Sequence, residues 1–166
     1  MRRIIAYLID CTIIFIVLAP VGLAFQYIFG YQPVSGKEIY FIIVINFSIP
    51  VWIYFIYADY SKDGATLGKK FLGIKTNSYE SEVVSLKQAG YRTAIKMLPW
   101  ELTHIASFLL VSIPGQFTSM SWLILSLAYL LIIIYLITAW RSQGKRSIHD
   151  HLAITEIYLI TSNTLR

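Results

Sequence analysis

The chain has 166 residues, of which 57% are hydrophobic and only 14% charged, and its formal net charge is +5. Its mean hydropathy is +0.63; a soluble domain carries roughly 25% charged residues, so this sequence has too little polar surface to cover itself in water. That excludes an ordinary soluble domain, and nucleic-acid recognition with it, because the basic residues are dispersed among membrane boundaries without an aromatic stacking platform in solution.

Residues 4–29 are the first apolar segment, charged only at Asp10, with Pro20 and Gly22 as bend points. No small-x-small cleavage site follows it convincingly, so it reads as a helix of the mature protein. Asp10 is the leading functional candidate, because an ionisable group at membrane depth needs a partner, a proton, an ion or water. Arg3 lies two helical turns earlier on the same face, about 10 Å away, too far for a direct pair on a straight helix. Residues 39–58 form a charge-free second segment that includes Asn46 and Pro50. The loop from 59 to 90 opens with an Asp63-Gly64 turn and a short interfacial helix from Thr66 to Phe71. Short strands are expected from Ile74 to Thr76 and from Glu82 to Val84, around a turn between them.

Residues 94–113 are harder to place, since Lys96, Glu101 and His104 interrupt them and Pro99 and Pro114 bracket them. Such a segment either crosses or lies in the interface as an amphipathic helix. Residues 120–140 are the cleanest apolar segment, and residues 141–166 return to a polar composition. Basic residues cluster at Arg2 and Arg3, at Lys62, Lys69, Lys70 and Lys75, and at Arg141, Lys145 and Arg146. If these mark the cytoplasmic side, both termini and the elements 59–90 and 141–166 are inside, which requires an even number of crossings. The expected fold is therefore an all-α integral membrane protein of the cell membrane, a single domain built as a four-crossing helical bundle with short cytoplasmic cap motifs. Sliding the chain by 81 residues places Thr66-Leu67 over Ser147-Ile148 and residues 39–58 over 120–139. This suggests an internal two-fold repeat of two same-orientation halves.

Arg92 and Lys96 share a helix face at i,i+4 and are the expected cationic partners of Asp10. The resulting group acts either as an interhelix latch or as a relay for a proton or monovalent cation. Glu101 and His104 stand at i,i+3, with Thr103 and Ser107 extending a polar arc. That E-x-x-H spacing offers two metal ligands, but the second and fourth segments lack the further carboxylates a metal bundle needs, so no metal site is expected. His149-Asp150-His151 reads as a local hydrogen-bonded lock, with Asp63 and Asp150 as helix caps. Lys69, Lys70, Lys145 and Arg146 read as contacts to anionic lipid heads. The sequence has no G-x-S-x-G, H-E-x-x-H or paired-cysteine motif, and the Gly64 to Lys70 stretch lacks the phosphate-loop order, so no catalytic residue and no cofactor are expected.

Arg3-x-x-Ala6-x-x-x-Asp10, the run from Asp63 and Gly64 through Thr66, Gly68, Lys69 and Gly73 to Ile74, Arg92, and the Ser147 to Ala153 block with His149 and Asp150 follow one another in order. Together they resemble the RDD family of small polytopic membrane proteins, over nearly the whole chain. The chain departs from the family pattern at Ile154-Thr155, where a Gly-Thr pair is usual, which argues against a tight backbone approach there. Both Asp63 and Asp150 fit the second name-giving aspartate. The resemblance implies a membrane role, with ion or solute transport suggested for some members. The resulting expectation is a transport-associated protein, a cation/proton exchanger working as an oligomer with Asp10 as relay. The alternative is a non-catalytic assembly or accessory protein, or an anionic-lipid-binding protein, in which Asp10 is a latch. Expected partners are membrane lipids, a second copy or another membrane protein, and a monovalent cation or proton.

Overall fold

The computed structural model describes residues 2–30, 35–112 and 118–160. The expected loop at 31–34, the turn at 113–117 and the final stretch 161–166 lie outside the described residues. Helix α1 spans Arg2–Phe29. The second apolar segment is one continuous rod made of α2 (Gly36–Ile43), a π-helical turn Val44–Ser48 and α3 (Ile49–Tyr60). Short helix α4 (Leu67–Phe71) and strand β1 (Ile74–Ser78) follow, then the long helix α5 (Leu86–Ser112). Helix α6 (Ser119–Arg141), short helix α7 (Ile148–Leu152) and strand β2 (Thr155–Leu159) complete the described chain. Among the described residues, three helices are long and apolar enough to cross a membrane: Arg2–Phe29, Gly36–Tyr60 and Ser119–Arg141. Their surfaces are apolar nearly all round, as lipid-facing helices require. Helix α5 has 27 residues, a length of about 40 Å at 1.5 Å per residue, but carries charge along its inner face.

Prolines shape two of these helices through the bonds they cannot make. Pro50 has no N–H and its ring would crowd the carbonyl four residues back; the preceding turn is widened, with the Ile49 amide donating to the Val44 carbonyl. Pro99, inside α5, frees the Ile95 carbonyl in the same way, and the Tyr135 hydroxyl of α6 donates to that oxygen at 2.6 Å. The proline is thus offset by a bond that ties α5 to α6.

The two strands correct the hairpin expected from sequence. β1 runs two residues beyond Thr76 and pairs antiparallel with β2, Ile74 opposite Leu159 and Ser78 opposite Thr155. Residues 82–84 form no strand. Three-residue runs are too short to pair stably on their own, whereas Thr155-x-Ile157-x-Leu159 supplies a five-residue partner from the other end of the chain.

The 81-residue shift is visible throughout. It carries α4 onto α7, β1 onto β2, and the end of α3 at Tyr60 onto the end of α6 at Arg141. It also carries hydrogen bonds onto one another. The Thr76 amide donates to the Gly64 carbonyl at 2.7 Å, and its counterpart at Ile157 donates to Lys145 at 3.0 Å. Ile160 donates to Gly73, and Tyr79 donates to Ile154. The strand register is invariant under exchange of the halves, with Thr76 and Ile157 paired at its centre. A pseudo-two-fold axis therefore passes between β1 and β2.

Gly73 turns out of α4 at φ +64°, and the equivalent Ile154 turns out of α7 at φ +55°. The departure from Gly-Thr at Ile154-Thr155 thus leaves the tight turn in place: a β-branched residue occupies the left-handed conformation that glycine usually takes.

Candidate functional site

Asp10 sits on the buried face of α1 and is 1% exposed. Its carboxylate accepts three hydrogen bonds: Tyr54 Oη at 2.7 Å, Thr66 Oγ1 at 2.6 Å and the Gly68 amide at 2.8 Å. The Tyr54 hydroxyl in turn accepts from the Leu67 amide at 3.0 Å. Asp10 is therefore an anionic cap, lent by α1 to the first turn of α4, where unpaired amides need acceptors. Gly68 makes the approach feasible, since α4 lies directly on the Ala6 carbonyl. The expected pairing of Asp10 with Arg92 or Lys96 is replaced by these neutral donors.

Arg92 instead stands at the centre of a separate buried ionic network. Its Nη1 pairs with Asp59 of α3, and its Nε and Nη2 reach Asp150 Oδ1 of α7 at 2.9 and 2.7 Å. Asp59 also takes Lys69 Nζ at 2.5 Å, which donates onward to Thr76 Oγ1 at 2.6 Å. Asp150 takes the Ser147 amide at 2.7 Å and the Arg3 guanidinium. Asp59, Arg92 and Asp150 are each no more than 1% exposed. Charges this deep hold together only as a set, since removing one member of a buried pair strands the other at about 3–5 kcal/mol.

Asp150 closes a capping box with Ser147, so it does for α7 from within what Asp10 does for α4 from another helix. Burial alone works against its charge, but Arg92 and its neighbours override it and hold the carboxyl far below the usual range. Burial pushes His149 well below the ordinary imidazole value, against the pull of Asp150. Arg3 has only donors, so His149 Nε2, which meets the Arg3 guanidinium, is the acceptor and its ring proton belongs on Nδ1.

Lys69 corrects the lipid-facing reading: it is 5% exposed, engaged with Asp59 and Thr76. Burial lowers its affinity for a proton, against the pull of Asp59. Lys70, one residue on, faces outward and pairs with the exposed Asp63 at 2.5 Å. That hydrogen bond holds the Asp63 carboxyl below its usual range. The α4 cap is Thr66, whose Oγ1 accepts from the Lys69 amide at 3.3 Å, so the cap expected of Asp63 belongs to Thr66. Lys145 is exposed. Arg146 stacks on the Tyr79 ring at 4.2 Å and donates to the Thr155 carbonyl.

Lys96 is the outlier. No carboxylate pairs with it among the described residues; its Nζ lies 3.3 Å from the Phe55 ring centroid and 4.9 Å from that of Tyr7. Further along α5, Glu101 accepts from the Trp52 indole at 2.9 Å and from Ser48 Oγ at 3.1 Å, and His104 Nδ1 lies 3.2 Å from the same Ser48 oxygen. An apolar cavity of about 50 Å³, with Tyr7, Phe55, Met97 and Trp100 in its walls, adjoins this step between Lys96 and Glu101. Thr103 and Ser107 do not extend the polar arc, since each hydroxyl bonds a carbonyl of its own helix.

Sequence reasoning missed Asp59, Ser48, Trp52 and Thr76, whereas the depth of Tyr54 and Tyr135 in their segments already points to hydrogen bonds between helices, which both make. Asp59 carried a signal, a lone carboxylate closing a charge-free apolar run. The RDD family model matches residues 1–154. No curated protein and no solved structure matches the chain.

Proposed function

Because the chain belongs to the RDD family, whose membrane character its apolar helices share, we propose that it serves transport, exchanging monovalent cations for protons across the cell membrane. In this reading α1, α2–α3, α5 and α6 cross, with both termini and the α4–β1 and α7–β2 caps in the cytoplasm. The observation that carries it is Lys96. A charged group at membrane depth costs about 2.5–3.5 kcal/mol, and contact with aromatic faces returns about 2. Among the described residues no carboxylate forms an ion pair with Lys96, unlike the cations of the Arg92 network. Asp10, with three donors, is the fixed element that seats α4, and Lys96 is the working one between the inner carboxylates and Glu101. Four helices enclose little space for a complete path, so an oligomer is the working unit.

Reconstituted protein tested for pH-linked Na⁺ or K⁺ movement decides the matter. Flux lost in Lys96→Met, with folding retained, supports exchange; no flux under any imposed gradient refutes it. The second reading is a non-transporting assembly or lipid-binding protein. It is favoured by the closed state of the ionic network, whose carboxylates all have partners, and by exposed Lys70 and Lys145. Retention of an anionic lipid that disappears on neutralising these two lysines supports that role.

A further inference from the structure

The outer stretch of the α3–α5 seam holds a polar group separate from the inner network. Ser48 is 5% exposed and closes the π-helical turn that Pro50 requires. Its Oγ stands between Glu101 Oε2 at 3.1 Å and His104 Nδ1 at 3.2 Å, while those two groups are 3.7 Å apart, too far to bond directly. Two aromatic rings fix the ends: the Trp52 indole holds Glu101 Oε1 at 2.9 Å, and the Trp100 ring meets the His104 ring edge-on at 5.1 Å.

A hydroxyl has one proton, so Ser48 donates to the carboxylate or to the imidazole but not to both. With Glu101 ionised, Ser48 donates to Oε2 and accepts from Nδ1–H of the His104 imidazolium. With Glu101 protonated, the acid donates to Ser48, and Ser48 donates to a bare Nδ1. Each arrangement satisfies all three groups, and they differ by two short proton hops.

We propose that Glu101, Ser48 and His104 form a proton relay across the α3–α5 seam. The His104 Nδ1–H bond breaks as a new Oγ–H bond forms on Ser48, and the original Ser48 proton moves to Glu101 Oε2. Imidazolium and carboxylate become neutral imidazole, protonated on Nε2, and carboxylic acid, so charge and atoms balance. In this relay protons reach His104 from the outer end of the α3–α5 seam, where its side chain is 14% exposed. Of the other ionisable groups on the packed elements, Lys37 and Glu38 lie in the first turn of α2, Tyr40 of α2 is stacked on Phe108, Tyr7 and Cys11 of α1 share a cavity wall with Trp100, and Tyr135 of α6 donates to the Ile95 carbonyl. On α3, Tyr54 is committed to Asp10 and Asp59 to the Arg92 network. Lys96, on α5 itself, stands over Phe55. Ser48 Oγ stands within hydrogen-bonding distance of both Glu101 and His104 and so links them.

The relay deepens the exchange reading by naming the proton's entry site, and rests on that reading for the proton's destination. The test follows full-length protein in lipid nanodiscs through a temperature series at one fixed pH, recording the protonated-carboxyl infrared band and the ¹⁵N signals of His104 together. The band assigned to Glu101 is the one absent in Glu101→Gln. In the wild type it grows as the Nδ1 proton is lost; in Ser48→Ala this joint change disappears, and Ser48→Thr restores it. A joint change that is absent from the wild type, survives Ser48→Ala, or fails to return in Ser48→Thr overturns the relay. Ion flux measured on the same samples separates the two ideas. A joint change without flux removes exchange and keeps the relay, whereas flux without a joint change does the reverse.

Discussion

Gly68→Ala is the most direct test of how α4 is seated. An added Cβ would lie 2.1 Å from the Ala6 carbonyl oxygen and 3.0 Å from Asp10 Cγ, and the first of these is backbone that no rotamer change can move. Helix α4 must withdraw by about 1 Å or more, which breaks the 2.8 Å bond from the Gly68 amide to Asp10. Overpacking of this kind costs about 1–3 kcal/mol, and loss of a hydrogen bond to a charged group adds about 1.5–3. Alanine's better helix propensity returns about 1, leaving a net loss of about 3 kcal/mol, or roughly 6–12 °C in Tm for a chain of this size. Thermal unfolding by circular dichroism in one detergent measures it. Gly90→Ala is the control, since nothing stands within 4 Å of the added carbon and α5 gains propensity; it raises Tm. Asp10→Asn should cost less in the Gly68→Ala background than alone, because both act on one contact. A Gly68→Ala protein within about 2 °C of wild type would show that α1 and α4 are not in backbone contact.

The two adjacent lysines should differ sharply. Lys69→Met leaves Asp59 with one cation fewer and destabilises by about 3–5 kcal/mol, whereas Lys70→Met removes an exposed pair worth at most about 1; equal effects in chemical denaturation contradict the burial of Lys69. Acid should loosen the α4–β1 and α7–β2 caps in two stages. His149, whose folded value lies well below 6.5, takes up a proton first in the unfolded chain, so stability falls as pH drops below about 6.5. Asp150, held below its ordinary 3.8, adds stability above that value which is lost on further acidification. His149→Gln should abolish the first stage and keep the second, as read from Tm against pH. Ile154→Gly relieves a left-handed β-branched residue worth about 1–2 kcal/mol, less about 0.5–1 for the added chain entropy of glycine. A small rise in Tm is expected, and a fall would show that the turn is not strained.

The apolar segments were legible in the sequence because membrane-spanning length and the scarcity of charge leave few alternatives. The repeat was legible as well, through cap residues Thr66 and Ser147 at equal places in each half. Asp10 announced itself as a buried acid, but its partners did not. Two of them are hydroxyls on residue types common in any membrane helix or turn, and the third is a backbone amide, which every residue but proline carries. Lys69 and Lys70 look alike in composition; only the phase of a five-residue helix turns one inward and the other outward. β2 was within reach from the alternation of Thr155, Ile157 and Leu159, but a partner so far along the chain gives no local sign of itself. The site at Ser48 depended on a π turn that no periodicity reveals.

The antiparallel pairing of β1 with β2 bears on how the molecule is made. The first strand leaves the ribosome well before its mate exists, and until then its open edge, and the Asp59 and Lys69 beneath it, lack the Asp150 side of the ionic set. Translation thus delivers a half-built ionic set, with Asp59 and Lys69 waiting uncovered until β2 arrives to close it.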